Sequence, residues 1–232
     1  MGYDSYSSFD RVHKMTTAIS LFTRRATPEL PMCPIPLVND AIMAAVRDLC
    51  DEADLITDTV TFTSVIGTRK YALSLPFGFK LSRVTSVRTT NYPRGLGITS
   101  QQEADQVVQN NIPRNYYVDG LNKVCLVSTP SVAEAVSVSV VLKPELTATD
   151  LGDVFYDTHL DTVMAGTKAR LMLMPGKPWT NFELGSAYET RFRNDLVAAR
   201  ITTVTGNAGG LLTVRPRKFG GLPTARAHEL WG

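Results

Sequence analysis

Residues 171 to 192, LMLMPGKPWTNFELGSAYETRF, constrain the fold more than any other stretch. An apolar helical run halts at Pro175-Gly176, and another begins within a few residues. Upstream, Tyr156, Leu160, Val163, Thr167, Leu171 and Met174 recur with helical period, and Ala165, Gly166 and Ala169 keep a neighbouring strip narrow. Pro175 lacks an N–H and restrains the residue before it, while Gly176 tolerates a left-handed turn. Pro178 then keeps the chain extended into Trp179. The restart carries an N-terminal signature, with Thr180 as N-cap and Glu183 three residues on as the other half of a capping box. Trp179 ahead of the cap pairs with Leu184 as a hydrophobic staple. Leu184, Tyr188, Phe192, Leu196 and Ala199 then line one face. The pattern predicts an antiparallel helical hairpin with a corner of Pro175, Gly176, Pro178, Trp179, Thr180 and Glu183. Caps and staples need no ligand, so this corner reads as structural.

The rest of the chain is organised around that hairpin. Residues 1–36 hold Pro28, Pro31, Pro34 and Pro36 and read as an extended N-terminal arm with one short helix around Thr16 to Phe22. A helix follows over 37–54, with Val38, Ile42, Val46, Leu49 and Ala53 on its apolar face. The period then changes to two. Val60, Phe62, Ser64 and Ile66 alternate, then Tyr71, Leu73 and Leu75, with Gly67-Thr68 between them as the turn of a β-hairpin. FKLSRVTSVRT reads as a further strand, YYVDGLNKVCLV as a hairpin around Asp119-Gly120, and AVSVSVVLKP as a strand with one wet face. Ser100 and Glu103 form a second capping box before a short helix over 100–110. The layout is α+β. It comprises a helical bundle, made of the N-terminal helix and a C-terminal hairpin over 153–203, with an antiparallel β module inserted over 58–145. Extended arms flank the core of 37–206, the second being a flexible basic segment, 207–232.

Composition narrows the function classes. At 232 residues and 44% hydrophobic, the chain buries a sizeable core, and its net charge of +2 is not that of a polycation that coats nucleic acid. Cys33, Cys50 and Cys125 form neither a disulfide framework nor a zinc pattern, as expected in a reducing, cytoplasm-like setting. No apolar run approaches the roughly 20 residues a membrane helix needs, and the N-terminus has no signal-peptide apolar region. His13, His159 and His228 are scattered. There is no Gly-x-Ser-x-Gly elbow, no phosphate-binding loop and no His-Glu-x-x-His. No enzyme activity, cofactor or metal is expected.

Two constellations carry other readings. Asp153, Asp157 and Asp161 are spaced by four, as on one helix face, with His159 nearby. They read as a solvated face, with Asp153 favouring the helix N-terminus, or as an acidic strip along a channel; a metal site would need ligands from a second element. In 207–232, Arg215, Arg217, Lys218 and Arg226 face only Glu229, a net charge of +3, and Leu212, Phe219, Leu230 and Trp231 add apolar anchors. Such a segment suits docking on a protein partner. The alternative is a nucleic-acid-binding module that uses the same cations on phosphates, against which residues 150–206 hold six positive and seven negative side chains rather than a basic stripe.

Five segments, in order, are similar to a known family. IPLVNDAIMAAVRDLCDEADLI (35–56), with Arg47 and Cys50, resembles the opening helix of bacteriophage head-to-tail adaptor (connector) proteins. GTRKYALSLP (67–76), NIPRNYYVDG (111–120) and SVSVVLKPEL (137–146) resemble that family's strands and turns. AGTKARLMLMPGKPWTN (165–181), continuing to Ala187, resembles its helix–Pro-Gly-Lys-Pro-Trp–helix hairpin. The resemblance implies a structural virion protein of the neck, assembled in the host cytoplasm. It implies a ring, usually of twelve subunits, bound beneath the portal protein and joined to tail proteins of nozzle, hub or tail-terminator type. Genomic DNA would pass through the lumen without sequence-specific binding, and the acidic strip would line it. The segment from 207 would be an arm reaching the portal or a neighbouring subunit.

Overall fold

A computed structural model describes residues 15–105, 112–120 and 122–206. Strand β1 (Met15–Ala18) runs directly into helix α1 (Ile19–Ala26), and a 3-10 turn (Thr27–Glu29) leads to α2 (Ile35–Ala53). Then come β2 (Thr57–Thr63), β3 (Lys70–Ala72), β4 (Phe79–Thr89), β5 (Gly97–Ile98), α3 (Gln101–Asp105), β6 (Asn115–Asp119), β7 (Lys123–Leu126) and β8 (Ala135–Pro144). The described chain ends with β9 (Asp150–Gly152), α4 (Asp153–Asp157), α5 (Leu160–Met172) and α6 (Phe182–Thr205). The class is α+β.

Residues 15–36 are not an extended arm. β1 pairs antiparallel with β9, and Phe22, Ala26 and Leu30 are fully buried. The helix here begins at Ile19 rather than Thr16, because the residues before it are used in the strand pair. Thr23 Oγ1 donates to Asn39 Oδ1 (2.6 Å), tying α1 to α2. Helices α2 and α5 pack against each other, with α1 and α6 each packing against both. Val38, Ile42, Val46, Leu49 and Ala53 of α2 are completely buried, and α5 is buried from Thr162 to Ala169.

The strands form two larger sheets, β2-β8-β4 and β3-β7-β6-β5. The expected hairpin across Gly67-Thr68 is therefore absent. β2 pairs along all seven residues with β8, whereas β3 pairs with β7. Val60 and Phe62 find a long partner in the alternating β8, which the three-residue β3 does not provide. The two segments meet through side chains instead: the Phe62 and Tyr71 rings stack at 4.8 Å, and Tyr71 Oη donates to Thr68 O (2.6 Å). The module is also not wholly antiparallel, since β5 joins β6 in parallel. The hairpin at Asp119-Gly120 forms, with Tyr117 opposite Cys125. On β8, Val136, Val138, Val140 and Leu142 are buried on the face toward the helices. Arg47 of α2 donates to Pro144 O (2.6 Å) and Leu142 N to Ile56 O (2.8 Å), locking helix to sheet. Of the expected helix over 100–110, Gln101–Asp105 is helical with both capping-box bonds present, Glu103 N to Ser100 Oγ and Ser100 N to Glu103 Oε2, each 3.3 Å. Residues 106–110 lie outside the described residues.

Candidate docking surfaces

The corner between α5 and α6 is held by short-range bonds. Gly176 adopts φ +69, and Thr180 N donates to Lys177 O while Lys177 N donates to Thr180 Oγ1, each 3.0 Å. Thr180 Oγ1 also donates to Met174 O. The N-cap is Asn181, not Thr180: its Oδ1 accepts from Leu184 N at 3.1 Å, and the helix starts at Phe182. Thr180 is consumed by the turn, so the cap moves one residue on, and Glu183 falls one position short of a capping box. The staple is absent too. Leu184 stands exposed, while Trp179 is buried in the main core. Trp179 Nε1 has no hydrogen-bond partner among the described residues. Pro175 and Pro178 are exposed.

Small residues set the α5–α6 seam. The Phe192 ring lies over Gly166, and Gly185 lies against Leu173 and Met172. α6 therefore buries Gly185, Phe192 and Ala199, with Tyr188 and Leu196 half-buried. Charged pairs tie this seam to its neighbours. Lys168, nearly buried on α5, bonds Glu29 Oε1 (2.6 Å) and sits 5.0 Å over the Tyr188 ring, whose hydroxyl donates to Glu29 Oε2 (3.0 Å). The Lys168 hydrogen bond holds the Glu29 carboxyl below its ordinary range against a weaker opposing effect of burial, and Tyr188 adds to the lowering. Arg170 pairs with Asp48 of α2 and lies 5.3 Å from the Phe192 ring centroid.

The opposite face of α6 faces outward. Ser186, Ala187, Thr190, Asn194, Val197, Ala198, Ile201 and Val204 are exposed there, and beyond Glu183 in the first turn this face carries no charge. Val197, Ile201 and Val204, at helical spacing, are 60%, 55% and 72% exposed. Several of the flanking charges are paired within the chain. Arg193 pairs with Glu189 (2.7 Å), and Arg191 approaches Asp195 (3.7 Å) and Asp161 (3.4 Å). A helix of 24 residues, about 36 Å long, thus carries apolar residues on two faces, only one of which the described residues cover. The sequence signal was present as Val197, Ile201 and Val204 at i, i+4 and i+7, but the buried stripe of the same helix drew the reading.

Asp153, Asp157 and Asp161 do not share a helix face. α4 ends at Asp157, Thr158 and His159 break the helix, and Asp161 lies in the first turn of α5. Asp153 accepts from Thr17 Oγ1 (2.6 Å), which fastens α4 to β1. Burial lowers the pKa of His159 between the two helices. Among the described residues no three His, Cys, Asp or Glu side chains converge as metal ligands would. The docking-arm residues Leu212, Arg215, Arg217, Lys218, Phe219, Arg226, Leu230 and Trp231 lie outside the described residues. α6 ends before them at Gly206, whose left-handed conformation (φ +66) and N–H bond to Thr202 O (3.0 Å) terminate the helix.

Two apolar tips on the β module were not singled out from sequence. Val65, Ile66 and Val132 are exposed on adjoining loops, joined by the Gly67 N to Pro130 O bond (3.2 Å). Phe77 is fully exposed beside an open cleft lined in part by Arg47, Leu75, Lys80 and Lys143. No helix among the described residues is long and apolar enough to cross a membrane. No curated protein matches the chain. A family model described as SU10 adaptor protein matches residues 15–215, most of the chain, and the chain belongs to that family of phage head-to-tail adaptors.

Proposed function

We propose that this chain is a structural protein of the virion neck that assembles into a ring of twelve copies beneath the portal and joins capsid to tail. The observation that supports the reading, beyond family membership, is the outward face of α6, which is uncharged beyond its first turn. A ring needs a heterologous contact, one patch of each subunit meeting a different patch of the next. α6 packs on α2 and α5 through its buried face, which would leave its outward face to meet a neighbour. A bundle with the β sheets carried between its helices would serve as the rigid body that repeats around the ring. The lumen would carry genomic DNA past the subunits without reading its sequence. Residues 207–232, with their cations and apolar anchors, would supply a second docking element, reaching the portal or a neighbouring subunit. The corner from Pro175 to Glu183 would keep α5 and α6 in one relative pose.

The test is Ile201→Asp combined with Val197→Asp in the full chain. Both side chains are exposed, so the fold should persist with an unchanged circular dichroism melt. Ring formation with the portal, followed by light scattering, should be lost. A doubly substituted protein that still assembles with the portal as the unmodified one does would remove α6 from the contact.

A further inference from the structure

We propose that the cleft beside Phe77 is the docking site for residues 3–10 of the same chain. The cleft lies between the end of α2, the start of β4 and the end of β8. Its lip is a rigidly presented aromatic ring. Phe79 N donates to Pro76 O (3.3 Å) and Gly78 adopts φ +81, so Phe77 occupies the second position of a type II turn and points into solvent. Leu146, 68% exposed, is carried on the adjacent loop, which the Glu145 N to Gly78 O bond (2.9 Å) fixes beside the turn. The wall is basic. Lys143 is paired with Asp51 (2.8 Å), but no carboxylate of the described residues pairs with Arg47 or Lys80. Arg47 is half-buried and spends one N–H on Pro144 O, which leaves most of its five donors for an acceptor in the cleft. Glu145 is the one carboxylate on the lining.

A fitting occupant has aromatic groups for Phe77 and Leu146 and carboxylates for Arg47 and Lys80. Residues 3–10, YDSYSSFD, have Tyr3, Tyr6 and Phe9 at every third position and Asp4 and Asp10 as their charges, with no cation. The segment at the other end, 207–232, has the opposite sign and would be repelled. Reach is sufficient within one chain. Met15 is paired with Gly152, and Glu145 is seven residues from Gly152, so the cleft rim lies no more than about 30 Å away. Tyr3 lies twelve positions before Met15, an extended span of about 40 Å.

The experiment places a photo-cross-linker in the full chain by Phe77→p-benzoylphenylalanine, irradiates at low protein concentration and maps the adducts by mass spectrometry. The expected product is an intramolecular adduct to residues 3–10. Lys80→Glu should reduce its yield roughly fivefold, as loss and reversal of a partly exposed charge pair would, and adding Asp4→Lys should restore it. Phe77 and Lys80 are exposed, so neither change endangers the fold. Adducts between chains, adducts to 207–232, or a yield indifferent to the charge at position 80 would each overturn the proposal. The readout is taken without the portal, so it stands or falls independently of ring assembly.

Discussion

Gly166 offers a sharp test of how closely α5 and α6 approach. A Cβ built there would meet three carbons of the Phe192 ring at 2.8 to 2.9 Å, closer than real carbon contacts allow. The ring is 3% exposed, with the Arg170 guanidinium 5.3 Å from its centroid, so it has little room to retreat. Overpacking of this kind costs roughly 1–3 kcal/mol. Alanine in a helix interior returns about 1 kcal/mol relative to glycine. The expected net effect of Gly166→Ala is a destabilisation of about 1 kcal/mol, which at this chain size lowers the melting temperature by about 2–4 °C. Urea denaturation followed by circular dichroism measures it directly. Phe192→Leu in the same background removes the clashing ring atoms, so the two changes together should cost less than the sum of each alone. A Gly166→Ala protein more stable than the unmodified chain would refute the close approach, because only the helix-propensity gain would then remain.

Other expectations follow from the same contacts. Asn181→Ala should destabilise by about 1 kcal/mol through loss of the N-cap, in chemical denaturation, whereas Glu183→Ala should be nearly neutral because no capping box forms there. Glu29 has a folded pKa below its ordinary value of 4.5, so its contribution is present above that pH and is lost as pH falls through the folded value; Glu29→Gln should lower stability at pH 7 by about 1 kcal/mol, with the gap closing below pH 4.5 in melts across pH. His159 has a folded pKa below 6.5, so the unfolded chain takes up its proton first and stability falls as pH drops below 6.5; His159→Gln should flatten that part of the pH profile. Removing residues 207–232 should leave the melt of the remaining protein unchanged while abolishing portal binding, measured by co-elution.

Much of the helical layout was legible because its signals are local. The apolar stripe of α2 and the Pro175-Gly176 stop depend on near neighbours in sequence, and both appear in the structure. The alternation of β8 was equally plain. Errors arose where a local signal had two physical solutions. Thr180 and Asn181 are adjacent residues that can each cap a helix, and the turn's own need for a hydroxyl at Thr180 decided between them. Gly67-Thr68 is a turn, but a turn does not say which strands pair, and β2 found its partner more than 70 residues away in sequence. Asp153, Asp157 and Asp161 kept helical spacing across a break at Thr158 and His159 that no proline or glycine announces. The outward face of α6 was readable in its spacing, yet exposure is a tertiary property, and the sequence does not show which of two apolar stripes will pack on α2 and α5.

The central claim is ring assembly on the portal. Size-exclusion chromatography with light scattering, on the full chain mixed with the portal protein of the same phage, tests it most directly. The account predicts one stable complex that exceeds the mass of the portal ring by about 305 kDa, twelve copies of a 25.4 kDa chain. Elution of the chain as a small species separate from the portal, at every mixing ratio, would contradict it.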